Sequence, residues 1–204
     1  MPPQRVLSLN NDKIRLGVLI SGRGSNFQAI HAAIQNQELS ASIEIVISNN
    51  PAANGLKYAE KHHLKKTSII EKDYDSKKLF NEAIIKTLQN HKIDLVILAG
   101  YMRILDTCFF KSYKNRILNI HPSLLPSFKG LNAQKQALDF GVKISGCTVH
   151  VVTEKLDDGP ILKQVSVPVL KNDTENTLSN RILEQEHKVY SQAIKEYIKT
   201  LNKE

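Results

Sequence analysis

The sequence predicts an α/β fold: an open, twisted, mostly parallel sheet flanked by helices, with an antiparallel excursion in its C-terminal half. Three observations carry this. Apolar runs of strand length alternate with segments of helical period through the first half of the chain. A parallel return needs a crossover helix, so that alternation implies parallel pairing. The runs end in glycine and small polar residues, as at 21–26 and at Gly100. In the second half, two strand-like runs meet across a turn cluster with no helix between them, which implies an antiparallel pair.

The first strand is predicted at residues 14–20 (IRLGVLI). It runs into Ser21-Gly22-Arg23-Gly24-Ser25-Asn26, after which Phe27, Ile30 and Ile34 recur at helical spacing. Residues 43–47 (IEIVI) read as the second strand, closed by Ser48-Asn49-Asn50-Pro51. Residues 56–63 read as a helix with Lys57, Lys61 and Lys65 on a solvated face, and 67–70 as a weak strand. Ser76 is placed to cap a helix whose apolar stripe is Leu79, Phe80, Ala83 and Leu88. Residues 93–99 (IDLVILA) form a buried strand closed by Gly100. The order is Rossmann-like, and in such sheets ligands bind beyond the carboxyl ends of the strands. Beyond it come a short strand at 117–120, a proline-stiffened loop at 121–126, and a short helix at 134–140 stopped by Gly141. Strands at 145–152 and 161–167 flank the turn cluster 154–160, and a last helix spans 177–201. No repeat or linker interrupts the 204 residues, so one domain is expected, with 1–13 a loose N-terminal extension.

Composition narrows the class. With 41% hydrophobic and 24% charged residues, the chain is too apolar for disorder. Two cysteines, Cys108 and Cys147, make no secreted disulfide framework and read as core. No apolar run approaches the roughly 18 residues of a membrane span, and the opening MPPQRVLSLNNDK has no apolar signal segment. The expected setting is a soluble, reducing cytoplasm. The net charge of +8 comes from dispersed lysines, which read first as a solvated surface and second as a positive field for an anionic small substrate. Aromatic residues are 6% with no tryptophan, so base-stacking platforms for nucleic acid are not evident. The seven histidines show no metal-ligand spacing.

Three constellations carry chemistry. Gly22 and Gly24 precede a helix, so backbone N–H groups there can face an anion. The loop is no dinucleotide fingerprint, because Phe27 stands where a glycine or alanine is needed. It reads as a phosphate cradle with Ser25 and Asn26 as extra ligands, or as a tight turn with no ligand. Asn119 and His121 share one face of a strand end. Side by side they form a donor pair for an oxyanion, with the imidazole also moving protons; a locally bonded strand-end histidine is the plain alternative. Asp157-Asp158-Gly159-Pro160 is an acidic turn, and a carboxylate from it near His121 would hold the ring and favour its protonated form.

Taken together, Ser21–Asn26, Ala99-Gly100-Tyr101-Met102-Arg103-Ile104-Leu105, Asn119-Ile120-His121-Pro122-Ser123-Leu124-Leu125-Pro126 and Leu156–Pro160 resemble the glycinamide ribonucleotide formyltransferases, a folate-dependent family of purine biosynthesis. The resemblance runs from Ile14 to the final helix. It implies transfer of the formyl group of 10-formyltetrahydrofolate to the amine of glycinamide ribonucleotide, with both as small-molecule substrates and no metal, nucleic acid or membrane involved. It implies Asn119, His121 and Asp157 as the catalytic trio. Gly22, Arg23, Gly24, Ser25 and Asn26 would take the phosphate, Glu186 the ribonucleotide, and Met102, Arg103, Ile104 and Leu105 with Asp157 the folate. Lys77, where many members carry arginine, is an implied anion contact. A cis Leu125–Pro126 bond is implied too. A monomer or a homodimer fits equally.

Two relatives within the same chemistry differ in expectation. Methionyl-tRNA formyltransferase shares the Asn-x-His core but carries a further C-terminal domain, and the residues after Pro168 suffice for one helix and its connection. Formyltetrahydrofolate hydrolase resembles this chain less at Pro122 and needs an N-terminal regulatory domain. A non-catalytic nucleotide-binding module would keep the glycine loop without a reason to hold Asn119, His121 and Asp157 together.

Overall fold

The computed structural model describes residues 13–201. The expectation of a loose extension at 1–13 therefore lies, but for Lys13, outside the described residues. Seven strands form one sheet: β1 (Ile14–Ile20), β2 (Ala41–Ser48), β3 (Lys66–Ser68), β4 (Leu95–Leu98), β5 (Ile117–His121), β6 (Ile144–Val151) and β7 (Ile161–Pro168). Six α-helices flank it: α1 (Ser25–Gln35), α2 (Asn54–Lys61), α3 (Lys77–Asn90), α4 (Thr107–Ser112), α5 (Ala133–Phe140) and α6 (Glu175–Leu201). The strand order is β3-β2-β1-β4-β5-β6-β7. Pairing is parallel from β3 through to β5 and antiparallel for β5–β6 and β6–β7. The mostly parallel sheet with a C-terminal antiparallel excursion is the predicted architecture.

The alternation of side chains along the strands divides the core in two. Leu16, Val18 and Ile20 of β1 pack with Phe27 and Ile30 of α1 and with Leu178, Ile182 and Tyr190 of α6. Leu19 of the same strand belongs to the other face, with Phe80, Ile84 and Leu88 of α3 and Phe109 of α4. Near-continuous apolar strands such as β4, buried at every position, are what a sheet covered on both faces requires.

Local signals set the helix ends. Ser76 Oγ accepts from the Leu79 N–H at 3.2 Å, capping α3 as its spacing predicts. Gly141, at φ 77°, ends α5 in the left-handed region. The predicted strand at 67–70 shortens to the three residues of β3. Two short elements carry no periodic signal and lie outside the predicted set: α4, six residues with Phe109 as its buried side chain, and one 3₁₀ turn at Glu71–Asp73.

The registers place the loops that matter along one edge. Leu19 pairs with Leu98, and Leu98 with Asn119, so β1, β4 and β5 end level. The Leu125–Pro126 peptide beyond β5 is cis, in line with the resemblance.

Candidate active site

β5 carries Asn119 and His121 to this edge. Its antiparallel partner β6 sets His150 opposite Asn119 and Thr148 opposite His121. Directly opposed residues of an antiparallel pair share a face, so the second strand delivers another imidazole beside the amide. Asn119 Nδ2 lies 3.2 Å from His150 Nε2, and His150 Nδ1 lies 3.1 Å from the Val151 carbonyl. A carbonyl only accepts, so Nδ1 carries the proton and Nε2 accepts from the amide. Burial holds the His150 imidazole below its ordinary pKa, which keeps it neutral and able to accept. The amide of Asn119 is thereby turned so that its nitrogen has one N–H held and one available. His150→Leu removes the acceptor and leaves that N–H unmatched. The expected result is a kcat about tenfold lower with little change in either KM, since a lost buried hydrogen bond costs roughly 1–3 kcal/mol. Steady-state kinetics of the variant check it.

Asp157 completes the trio. Gly159 brings it in: a Cβ there would lie 1.7 Å from the Val151 carbonyl oxygen, so only glycine lets the turn press against β6. The Pro160 carbonyl then accepts from the Val151 N–H at 2.9 Å. Asp157 Oδ2 lies 3.5 Å from His121 Nδ1 and accepts from the Gly130 N–H at 2.8 Å. His121 Nε2 lies 2.8 Å from the Phe128 carbonyl. One ring nitrogen thus faces a carboxylate and the other a carbonyl. Both are acceptors, and an imidazolium, with an N–H at each nitrogen, matches both. Asn119 is half-buried, and His121 and Asp157 are buried, at 5% and 9% exposure. Their attraction therefore acts with little screening by water.

The glycine loop leads into α1 beside this edge. Gly24 takes φ 71° at the helix start, and no side chain caps the first-turn N–H groups. A Cβ on Gly24 would come within 3.2 Å of the Gly55 Cα, so the loop and the start of α2 pack backbone to backbone. Ser21 ties the loop to β4's end by accepting from the Met102 N–H at 2.8 Å and donating to Asn49 Oδ1 at 2.6 Å. The resulting cleft, of about 270 Å³, is lined by the six residues Ser21–Asn26 with Ala99, Gly100 and Met102. Opposite, α6 brings Glu186 against the loop, where its carboxylate accepts from Asn26 Nδ2 at 2.7 Å. Burial pushes the Glu186 carboxyl above its ordinary pKa, and the Asn26 amide opposes that shift. A second cavity of about 330 Å³ lies behind the proline loop, lined by Leu124, Ser127, Phe128, Phe140, Val142, Ile144 and Ser145, without a charged group to hold an anion.

The segment after β4 divides. Met102 and Ile104 are exposed at 66% and 65%, whereas Leu105 packs into the core with Phe80 and Phe109. Arg103 pairs with Glu71 at 3.3 Å. Lys77 opens α3; a hydrogen bond from Thr107, then bonds from the backbone and last the Lys77 charge, hold the Asp106 carboxyl below its ordinary pKa. Lys77 thus lies toward the end of the 102–105 segment and not in the cleft. Cys147 is buried and Cys108 half-buried against the core, in line with their reading as core. Among the described residues no His, Cys, Asp and Glu group is placed to hold a metal, and no helix is long and apolar enough to cross a membrane.

The structure therefore brings together Asn119, His121 and Asp157, and separately Gly22–Asn26 with Glu186. Sequence reasoning misses His150, the Phe128 carbonyl and the Gly130 N–H. The one signal for His150 is its place in the alternating run TVHV, but which residue it opposes depends on a register that the sequence does not state.

Known proteins resemble this chain over most of its length. The family described as formyl transferase matches residues 14–194. A phosphoribosylglycinamide formyltransferase of Bacillus subtilis is 39% identical over 184 residues, covering 90% of this chain and 94% of that protein. The human trifunctional purine biosynthetic protein adenosine-3 is 47% identical over 187 residues, which are 92% of this chain and 18% of the larger protein. The chain thus spans 14–18% of the length of its trifunctional relatives. The crystal structure of glycinamide ribonucleotide transformylase 1 from Symbiobacterium toebii superposes with a TM-score of 0.89 at 46% identity, covering 90% of this chain and 86% of that one.

Proposed function

We infer, from the premise that the chain belongs to the formyl transferase family, that it moves the formyl group of 10-formyltetrahydrofolate onto the amine of glycinamide ribonucleotide in purine biosynthesis. The observation that carries this reading is the meeting of Asn119, His121 and Asp157 at one sheet edge, with the uncapped glycine loop on the same edge.

The chemistry follows from the groups. The substrate amine attacks the formyl carbon, a C–N bond forms, and the carbonyl oxygen gains negative charge. The free N–H of Asn119 and the protonated His121 stabilise that oxygen. His121 Nε2 is engaged by the Phe128 carbonyl at 2.8 Å, so the ring N–H that would turn to that oxygen is the one at Nδ1, 3.5 Å from Asp157 Oδ2. Asp157 faces the ring at Nδ1 and holds its orientation. The proton leaving the attacking nitrogen goes to the folate nitrogen as the C–N bond to folate breaks. Asp157 and His121 organise that transfer. Met102, Arg103 and Ile104 would flank the folate, with Leu105 packed beneath them, and Lys77 would meet an anionic part of it as a single point charge, without the bidentate grip of an arginine.

The phosphate would sit on the N–H groups of Gly24, Ser25 and Asn26, with Glu186 toward the ribose. Ser25→Asp sets a negative charge against a negative ligand. Its expected effect is a ribonucleotide KM at least about tenfold higher, equivalent to about 1.4 kcal/mol, with the folate KM nearly unchanged. Equal rises in both would remove the phosphate from this loop. The function itself is tested by supplying formyl-folate to the purified protein with glycinamide ribonucleotide, methionyl-tRNA or water alone. Formyl transfer to the ribonucleotide is expected. Turnover only with tRNA or water would replace this reading with one of the other two.

A further inference from the structure

The β5–β6 and β6–β7 registers set His121, Thr148 and Gln164 in one row across three strands, with Thr148 opposite both of the others. Directly opposed residues of antiparallel strands share a face, so Gln164 of β7 lies two strands from the His121 ring on the same side of the sheet. Gln164 is exposed at the sheet's edge, yet its amide nitrogen turns inward. Nε2 donates to the Leu125 carbonyl at 2.9 Å and to Thr148 Oγ1 at 2.9 Å, which uses both of its N–H bonds.

The Thr148 hydroxyl is thereby saturated. It accepts from the Leu125 N–H at 3.0 Å and from Gln164, so its one proton goes to the Ser123 carbonyl at 2.7 Å. These bonds hold both backbone groups of Leu125 and the carbonyl of Ser123 to β6 and β7. The loop then closes on itself. Ser123 Oγ donates to the Ser127 carbonyl, and the Ser127 N–H donates to the Leu124 carbonyl at 3.0 Å. The next residue is Phe128, whose carbonyl meets His121 Nε2 at 2.8 Å. A continuous set of bonds thus runs from Gln164 through the 123–127 loop to the ring nitrogen of His121 that does not face Asp157.

We propose that Gln164 is a positioning residue for formyl transfer: by fixing the 123–127 loop it holds the Phe128 carbonyl on His121 Nε2, and so keeps Nδ1 turned to Asp157 and the formyl oxygen. This rests on the reading of His121 as a donor to that oxygen. Gln164 acts through the loop and touches neither substrate. Its loss frees the Thr148 proton to turn from Ser123 and lets the loop carbonyl drift. The ring is then misaimed in the transition state, while the glycine loop after β1 and the 102–105 segment after β4 keep their places.

The test uses Gln164→Met, which keeps length and removes the donors, and Gln164→Glu, which keeps shape and sets a carboxylate against the Leu125 carbonyl. Each should lower kcat about tenfold with both KM values within twofold, as expected when hydrogen bonds that serve alignment are lost. Nitrogen NMR of histidine-labelled protein reads the ring directly, the His121 signals being identified by their loss in His121→Ala. In both variants the Nε2 signal should broaden or move as the ring samples more than one orientation. A kcat within twofold of wild type in both variants overturns the proposal. So does an unchanged His121 signal, which places any rate loss elsewhere. A rise of both KM values with kcat unchanged also overturns it and marks a structural role. If one variant does not fold, the other decides. If the wild-type protein does not formylate the ribonucleotide, the function reading fails, and the His121 signal in the variants decides the positioning by itself.

Discussion

His121→Ala and Asn119→Ala are each expected to lower kcat by about 10²–10³-fold, the loss typical of removing one preorganised donor from a developing oxyanion, or roughly 2.7–4 kcal/mol. The size follows from burial. His121 is 5% exposed, so water does not replace the lost donor efficiently. The two losses should differ in kind. Removing Asn119 deletes a neutral donor and frees His150 Nε2, which then lacks its partner. Removing His121 deletes the charge that offsets Asp157 and leaves the Phe128 carbonyl without its donor. Rates for both variants at saturating substrates check the pair. A kcat within a few-fold of wild type in either variant would remove that residue from the chemistry.

Asp157→Asn is the second large effect, again about 10²–10³-fold in kcat. The substitution keeps volume and removes charge. It leaves an amide whose oxygen can stand where Oδ2 stands, facing the Gly130 N–H at 2.8 Å and His121 Nδ1 at 3.5 Å, but without the negative charge. The folate KM should stay within a few-fold, because the substitution removes little volume and Gly159 keeps the turn against β6. The double variant with His121→Ala should lose much less than the product of the singles, since groups that act as a unit are not additive. A strictly multiplicative double variant would keep both residues in the site and sever their coupling.

Both predictions draw on residues that the amino-acid order alone makes legible, and the reason is local. Asn119 and His121 are two apart on a strand, and period-two geometry alone puts them on one face. The glycine loop is equally local: strand, Gly22 and Gly24, then the helical spacing of Phe27, Ile30 and Ile34. Parallel pairing follows from strand–helix alternation, and Ser76 and Gly141 mark helix ends by their own backbone chemistry. What the amino-acid order leaves out is of two kinds. Elements too short to show a period, such as α4 and the 3₁₀ turn, offer no pattern to read. Partners distant along the chain offer none either.

The second kind decides the site. That an acidic turn near residue 157 exists is written in the sequence; that it faces His121 at 3.5 Å depends on how far Gly159 lets the turn approach β6. That Asn119 meets His150 depends on the β5–β6 register, where a shift of one residue would send the imidazole to the opposite face. Glu186 meets Asn26 across 160 positions of sequence only because α6 packs along α1. The sequence by itself determined the groups on each strand end and their chemical types, since those rest on neighbouring residues and backbone periodicity. The tertiary structure decided which groups share a cleft, because register, close backbone approach and helix packing are properties of the whole core and not of any one segment.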